Sequence, residues 1–197
     1  MTLVLASASP TRAQLLEAAG VCFEIAHPKV DEGALRGQLQ ADAQNSTQVA
    51  QALARAKAQS LCASMPGRTI LGADQILDQD GQILSKASSL MEAEAQLRSL
   101  RGRRHSLISA AALVRDGQVL AEPCAQAQLS MRNFSDAFLS SYLAREGTAI
   151  LGCVGCYRLE GLGAQLFSTI DGDYFTVLGL PLLGVLASLR ELGMLDA

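Results

Sequence analysis

Apolar positions along the chain follow two rhythms. Residues 2–6 form a short apolar run that ends in the polar turn Ser7-Ala8-Ser9-Pro10, and residues 69–77 form a longer, nearly unbroken one. Runs of this kind, bounded by turn residues, predict strands buried on both faces. Between them the spacing changes to three and four. Ser9 as N-cap and Pro10 as first helical residue predict a helix to about Gly20. Residues 46–64 predict a long helix with Val49, Leu53 and Leu61 on its inner side. Residues 21–26 read as a strand. Residues 31–45, polar and rich in Gln, read as a loop.

The second half continues the alternation. Asp78-Gln79-Asp80-Gly81 predicts a turn into a return strand at 82–84, and 91–100 a helix. Two strands are expected around Arg115-Asp116-Gly117, a hairpin signal. Phe138, Leu139, Tyr142 and Leu143 mark a further helix. A Gly-rich segment at 152–163, a short hairpin around Asp171-Gly172-Asp173 and a last helix at 181–192 complete the chain. Interleaved strands and helices with no internal repeat predict an α/β class with a mixed sheet.

Composition narrows the picture. With 197 residues, 49% hydrophobic and 18% charged, the chain can bury a core as one domain, 1–197, without disulfides or a structural metal. A net charge of −3 and no basic run argue against nucleic acid as a partner, because such binding needs many Lys and Arg contacts to phosphate. No leader peptide and no membrane-length apolar run are evident, so no membrane partner is expected. Five scattered cysteines read as reduced thiols of a cytoplasmic protein.

Three features could carry chemistry. A strand running into Ser-Ala-Ser-Pro-Thr-Arg and then a helix presents free N–H groups, two hydroxyls and the Arg12 guanidinium together. That is a phosphate site in physical terms, although capping explains Ser9 equally well. Asp74 lies within the apolar run, where an ionised carboxylate needs a partner or a metal. In a regular strand Asp74 and Gln75 point to opposite faces, so serving one pocket together would require the strand to end or bulge there. Lys57, flanked by Leu53 and Leu61, lies on a helix's apolar stripe and by itself reads as a snorkelling lysine. Lys86 and Asp31-Glu32 in isolation read as solvated surface. Cys153-Val154-Gly155-Cys156 has half-site spacing, but no second pair exists for zinc and the histidines, His27 and His105, are isolated.

Taken in order, Leu5-Ala6-Ser7-Ala8-Ser9-Pro10-Thr11-Arg12, Val30-Asp31-Glu32, residues 54–58 around Lys57, Gly72-Ala73-Asp74-Gln75, Ser85-Lys86, Glu160-Gly161-Leu162-Gly163 and the close from Gly172-Asp173-Tyr174 to Val177-Leu178-Gly179-Leu180-Pro181-Leu182 resemble the Maf family of nucleotide pyrophosphatases over nearly the whole length. The resemblance implies an elongated α/β molecule, with a central mixed, twisted sheet flanked by helices and a cleft between two lobes, usually dimeric. It implies hydrolysis of a nucleoside triphosphate between the α and β phosphates. Ser7, Ser9 and Arg12 would hold phosphate. Lys57 and Lys86 would neutralise the leaving pyrophosphate. Glu32 and Asp74 would bind Mg²⁺ or Mn²⁺, with Asp74 also the proton acceptor.

Within the family, Thr11, Gln75 and Glu160 match the positions that set the base. Gln75 with Glu160 resembles the branch acting on 7-methyl-GTP, and a carboxylate suits a guanine edge made cationic by methylation. The branch acting on dTTP and UTP typically carries Thr and Gln there. Thr11 stands where the first branch often has Trp, and Ser85-Lys86-Ala87 replaces the usual Gly-Lys-Pro. Two alternatives accompany this expectation: a dTTP/UTP pyrophosphatase of the same family, and a nucleotide-binding regulator of septum formation with weak hydrolysis.

Overall fold

The computed structural model describes residues 2–42 and 44–196. The first strand, β1, is Leu3–Ala6, and helix α1 is Pro10–Ala18. Ser9 caps α1 as expected, its side chain accepting the Arg12 N–H at 3.4 Å. Such a cap stabilises a helix by about 1 kcal/mol. Gly20, at φ 73°, turns the chain into β2, Phe23–Ala26.

The segment 31–45 is not a loop. Helix α2 spans Glu32–Ala41, with Asp31 as N-cap accepting the Ala34 N–H at 2.9 Å. Leu35 and Leu39, four apart and half-buried, give it a narrow inner stripe, while none of its residues is fully buried. Gln and Ala are good helix formers, and the Asp cap outweighs the two glycines. Helix α3, Ser46–Cys62, opens on a capping box between Asn45 and Gln48 and buries Val49, Leu53 and Leu61 as its spacing predicts.

Strand β3 runs over Thr69–Gln79, beyond the apolar run, and turns through Asp80 (φ 54°) and Gly81 (φ 85°) into β4, Gln82–Leu84. Two consecutive positive φ values make the tight hairpin turn. Helix α4 is Leu90–Leu100, and β5, Arg104–Arg115, and β6, Gln118–Ala121, form the expected hairpin at Asp116-Gly117. Strand β7, Cys124–Met131, has no counterpart in the sequence reading. Its buried Ala127, Leu129 and Met131 do alternate with less buried residues, but Ala and Gln favour strands poorly and mask the period.

Helix α5, Asp136–Glu146, is followed by three 3-10 segments, Gly147–Gly152, Val154–Cys156 and Leu162–Leu166, which make up the Gly-rich region. No hairpin forms at 171–173. Strand β8, Phe167–Asp171, pairs instead with β7, Leu129 opposite Ile170. Helices α6, Tyr174–Val177, and α7, Leu182–Glu191, close the chain.

The strands make one mixed sheet in the order β2-β1-β3-β5-β7-β8, with β4 on β3 and β6 on β5. Pairs β1–β2 and β1–β3 are parallel, and the hairpins and β7–β8 are antiparallel. The class is therefore α/β with a central mixed sheet flanked by helices. The chain forms two compact units. The first comprises residues up to Gln75, Ile108–Ala125 and those from Tyr174 onward, and the second comprises Ile76–Leu107 and Gln126–Asp173. None of the described helices is long and apolar enough to cross a membrane.

Packing in the first unit positions the chemistry. The parallel register sets Leu5 beside Leu71 and Ala6 beside Gly72. Leu3, Leu5, Leu71 and Ala73 join Leu16 of α1 and Val185 and Leu189 of α7 in one core cluster. The other face of β3 takes α3 at very short range. A Cβ on Gly72 would lie 2.1 Å from the Ala54 carbonyl oxygen and 2.7 Å from the Ala58 nitrogen. Only glycine admits a helix backbone this close to a strand. Two residues further along the same face is Asp74, directly beneath Lys57 of α3.

Candidate functional site

Lys57 and Asp74 form a buried ion pair. Their relative exposures are 5% and 4%, and Nζ lies 2.7 Å from Asp74 Oδ1. The same ammonium lies 3.0 Å from Glu32 Oε2 on the first turn of α2, a carboxylate 43% exposed. Lys57 is thus no snorkelling side chain but the centre of an Asp–Lys–Glu cluster. Asp74 Oδ2 is buried and has no hydrogen-bond partner among the described residues. A buried carboxylate oxygen is costly to leave unpaired, so it points to a ligand, a water or a cation.

The phosphate turn lies in the same unit. Ser7, buried, follows β1. Its Oγ accepts the Ser9 N–H and an Arg12 Nη1–H, both at 3.2 Å. Arg12 Nε–H donates to the Gly179 carbonyl at 2.8 Å. Burial lowers the Arg12 pKa from its ordinary value, opposed by attraction to Asp74 and Glu32. The guanidinium is held at two points and feels both carboxylates of the cluster. Thr11 lies beside it, half-buried in the first turn of α1. The site occupies the carboxyl end of the parallel strand β1, beside β3, where ligands of open α/β sheets are bound.

Gln75 points away from Asp74, as a regular strand requires. β3 neither ends nor bulges at Asp74; it continues to Gln79. Asp74 faces α3, while the Gln75 amide nitrogen donates to the carbonyls of Thr176 and Val177 at 3.0 Å each and lies 3.3 Å from Ser109 Oγ.

Lys86 and Glu160 belong to the second unit, and both are exposed. Each is close enough to Cys153 to act on its titration, with Arg158 and Glu146. Glu160 Oε1 lies 3.5 Å from Arg158 Nε, and Arg158 Nη1 lies 3.7 Å from Glu146 Oε2. Lys86 follows a segment tied to α4, the Gln96 amide donating to the Ser85 carbonyl at 2.9 Å.

Burial raises the Cys153 thiol and pushes Cys156 up to about 11, so neither is a thiolate at neutral pH and the pair lacks redox-nucleophile character. His105 is buried, 2.7 Å from the Tyr157 hydroxyl, and burial lowers it to about 4. Among the described residues no group of three or more His, Cys, Asp or Glu could hold a metal. The oxygen set is the pair Glu32 and Asp74.

Ser109 and Thr176 enter the site without a sequence signal of their own, and Gly179 of the closing motif enters through its carbonyl. They contribute a hydroxyl and backbone carbonyls, which no residue pattern reveals.

Comparison with known proteins covers nearly the whole chain. Residues 2–192 match the family model described as Maf-like protein. The chain is 48% identical over 191 residues to the nucleoside triphosphate pyrophosphatase of Caulobacter vibrioides, covering 97% of this chain and 96% of the relative. It is 45% identical to the protein of that name from Paramagnetospirillum magneticum, over 98% and 99% of the two chains. It is 44% identical to the 7-methyl-GTP pyrophosphatase of Rhizobium johnstonii, over 98% of each.

Proposed function

This chain belongs to the Maf-like protein family, and from that premise we propose that it is a nucleoside triphosphate pyrophosphatase. Hydrolysis across the α–β bridge consumes one water and releases a nucleoside monophosphate and pyrophosphate. The observation that carries the reading is the buried Lys57–Asp74 pair with its unpartnered Asp74 Oδ2, in one unit with the Ser7–Arg12 phosphate turn.

Each residue then has a task. Ser7, Ser9 and the N–H groups opening α1 bind phosphate oxygens. Arg12, fixed through Nε and Nη1, turns its remaining N–H groups to the same oxygens. Asp74 Oδ2 accepts a proton from the attacking water, while Oδ1 stays on Lys57. Lys57 balances negative charge as pyrophosphate leaves. The donor set suits a hard cation, since the oxygens of Glu32 and Asp74 are carboxylate oxygens. Glu32 and Asp74 would hold Mg²⁺ or Mn²⁺, which supplies Lewis-acid polarisation of the phosphates and of water. With two protein carboxylates, the site would leave positions for substrate and solvent oxygens, which suits Mg²⁺.

Pyrophosphate release from a panel of triphosphates tests the reaction. Pyrophosphate is expected as the first product with Mg²⁺, no activity in EDTA, and recovery on adding Mg²⁺ or Mn²⁺. Orthophosphate as the first product would overturn the bond assignment, and activity persisting in EDTA would remove the metal.

The base we assign is 7-methylguanine. The Glu160 carboxylate can accept from N1–H and the exocyclic amine and favours the positive ring. The relatives from Rhizobium named 7-methyl-GTP pyrophosphatases support this reading. Glu160→Gln is expected to spare the chemistry and move preference toward UTP and dTTP by about tenfold or more, the worth of one charged hydrogen bond. Equal losses of kcat/KM on 7-methyl-GTP, GTP, UTP and dTTP would remove Glu160 from base reading.

A further inference from the structure

We propose that Gln75 reads the base as a pure acceptor, taking an N–H of the guanine pairing edge on Oε1, and that Ser109 is the positioning residue that holds it in that sense. This deepens the base assignment made above and rests on it.

A glutamine amide has a donor end and an acceptor end, and its surroundings decide which end is free. The Gln75 nitrogen donates to the carbonyls of Thr176 and Val177 at 3.0 Å each. Carbonyl oxygens only accept, so the reverse orientation would set the amide oxygen against two other oxygens. Ser109, fully buried on β5, fixes the same sense. Its single O–H donates to Thr176 O at 2.8 Å, which leaves only lone pairs toward the Gln75 nitrogen at 3.3 Å. All three neighbours of that nitrogen are therefore acceptors. Oε1 makes no hydrogen bond with the described residues and is not a buried unpartnered atom, so it is open to solvent and to a ligand. The same turn, two residues beyond Val177, holds Arg12 through the Gly179 carbonyl at 2.8 Å.

An acceptor held in place sorts bases by their hydrogens. Guanine and 7-methylguanine carry N1–H and an exocyclic amine on the pairing edge, whereas uracil and thymine carry N3–H alone. Turning the amide over to present its nitrogen would break two bonds to α6 to make one with a base, a net loss. Gln75 thus asks the base for a hydrogen and offers none.

The α,β-methylene analogues of GTP, ITP and 1-methyl-GTP test this, because their bridging carbon blocks hydrolysis. ITP lacks the amine and 1-methyl-GTP lacks N1–H. Affinities in excess Mg²⁺ would be measured by calorimetry for wild type, Gln75→Met and Ser109→Ala, beside inorganic tripolyphosphate, which has no base. Met keeps the length of Gln and removes the acceptor. Ser109→Ala removes only the hydroxyl, in case Gln75→Met folds poorly.

Wild type is expected to prefer the GTP analogue over at least one of the other two by about tenfold, the worth of one hydrogen bond. Gln75→Met should erase that preference and Ser109→Ala should reduce it several-fold. Tripolyphosphate affinity should be unchanged in both. A merely structural loss would weaken all four ligands together and leave the ratios intact. Wild type that binds the three analogues equally or not at all, or preferences retained in full in every variant that folds, would overturn the inference. Wild type with the expected preference that releases no pyrophosphate from GTP or 7-methyl-GTP would overturn the proposed reaction and leave the acceptor role of Gln75 standing.

Discussion

Asp74→Asn is expected to lower kcat by a hundredfold or more on every triphosphate, roughly the worth of a positioned general base. Asparagine keeps the shape of the side chain and can still accept from Lys57. It cannot accept a proton from water, and it places an amide where an unpartnered carboxylate oxygen now lies. The loss should fall on kcat more than on KM, because phosphate binding rests on Ser7, Ser9 and Arg12. The measurement is steady-state kinetics on 7-methyl-GTP, GTP, UTP and dTTP, with thermal melts to show that the variant is folded. Full activity in the folded variant would end the assignment of Asp74 as proton acceptor.

Lys57→Met should have the largest effect on stability. Removing one partner of a buried ion pair leaves an uncompensated charge, at a cost of about 3–5 kcal/mol. In a chain of this size that lowers Tm by roughly 10 °C. Methionine fills much of the lysine's volume, so the cost is electrostatic and not a cavity. Glu32 loses little, being already 43% exposed. The double variant Lys57→Met/Asp74→Leu removes the stranded charge and should melt above Lys57→Met alone. A single variant within about 1 kcal/mol of wild type, or a double variant less stable than the single, would contradict the buried-charge argument.

Residue by residue, the site was unevenly legible. The Ser7–Arg12 turn could be read because its elements are local: an apolar strand, an N-cap, a proline at the first helical position and a guanidinium one residue beyond Thr11. Asp74 stood out because a carboxylate within an apolar run demands an explanation. Lys57 was legible as a position on the inner stripe of α3 and illegible as a partner, since nothing local distinguishes a snorkelling lysine from a paired one. Gln75 was singled out by resemblance alone, and its commitment to the carbonyls of α6 leaves no mark in the sequence, because any residue supplies a carbonyl. Helix α2 and strand β7 were missed for a common reason. Weak local signals, two leucines within a Gln-rich segment in one and an alternation masked by Ala and Gln in the other, become decisive only when a neighbouring surface covers them.

Local pattern determined which segments are strands and helices through most of the chain, where the phosphate turn begins, and which carboxylate is out of place. The pairing of β1 with β3 and the seating of α3 on β3 came only with the tertiary structure. Parallel registers join residues distant along the chain, and no local periodicity encodes them. Gly72 shows the physical cause. As a residue in the sequence it is a weak spot in a strand. In the fold it is the gap that admits the backbone of α3, and that close approach sets Lys57 on Asp74 and makes two ordinary charges into one buried site.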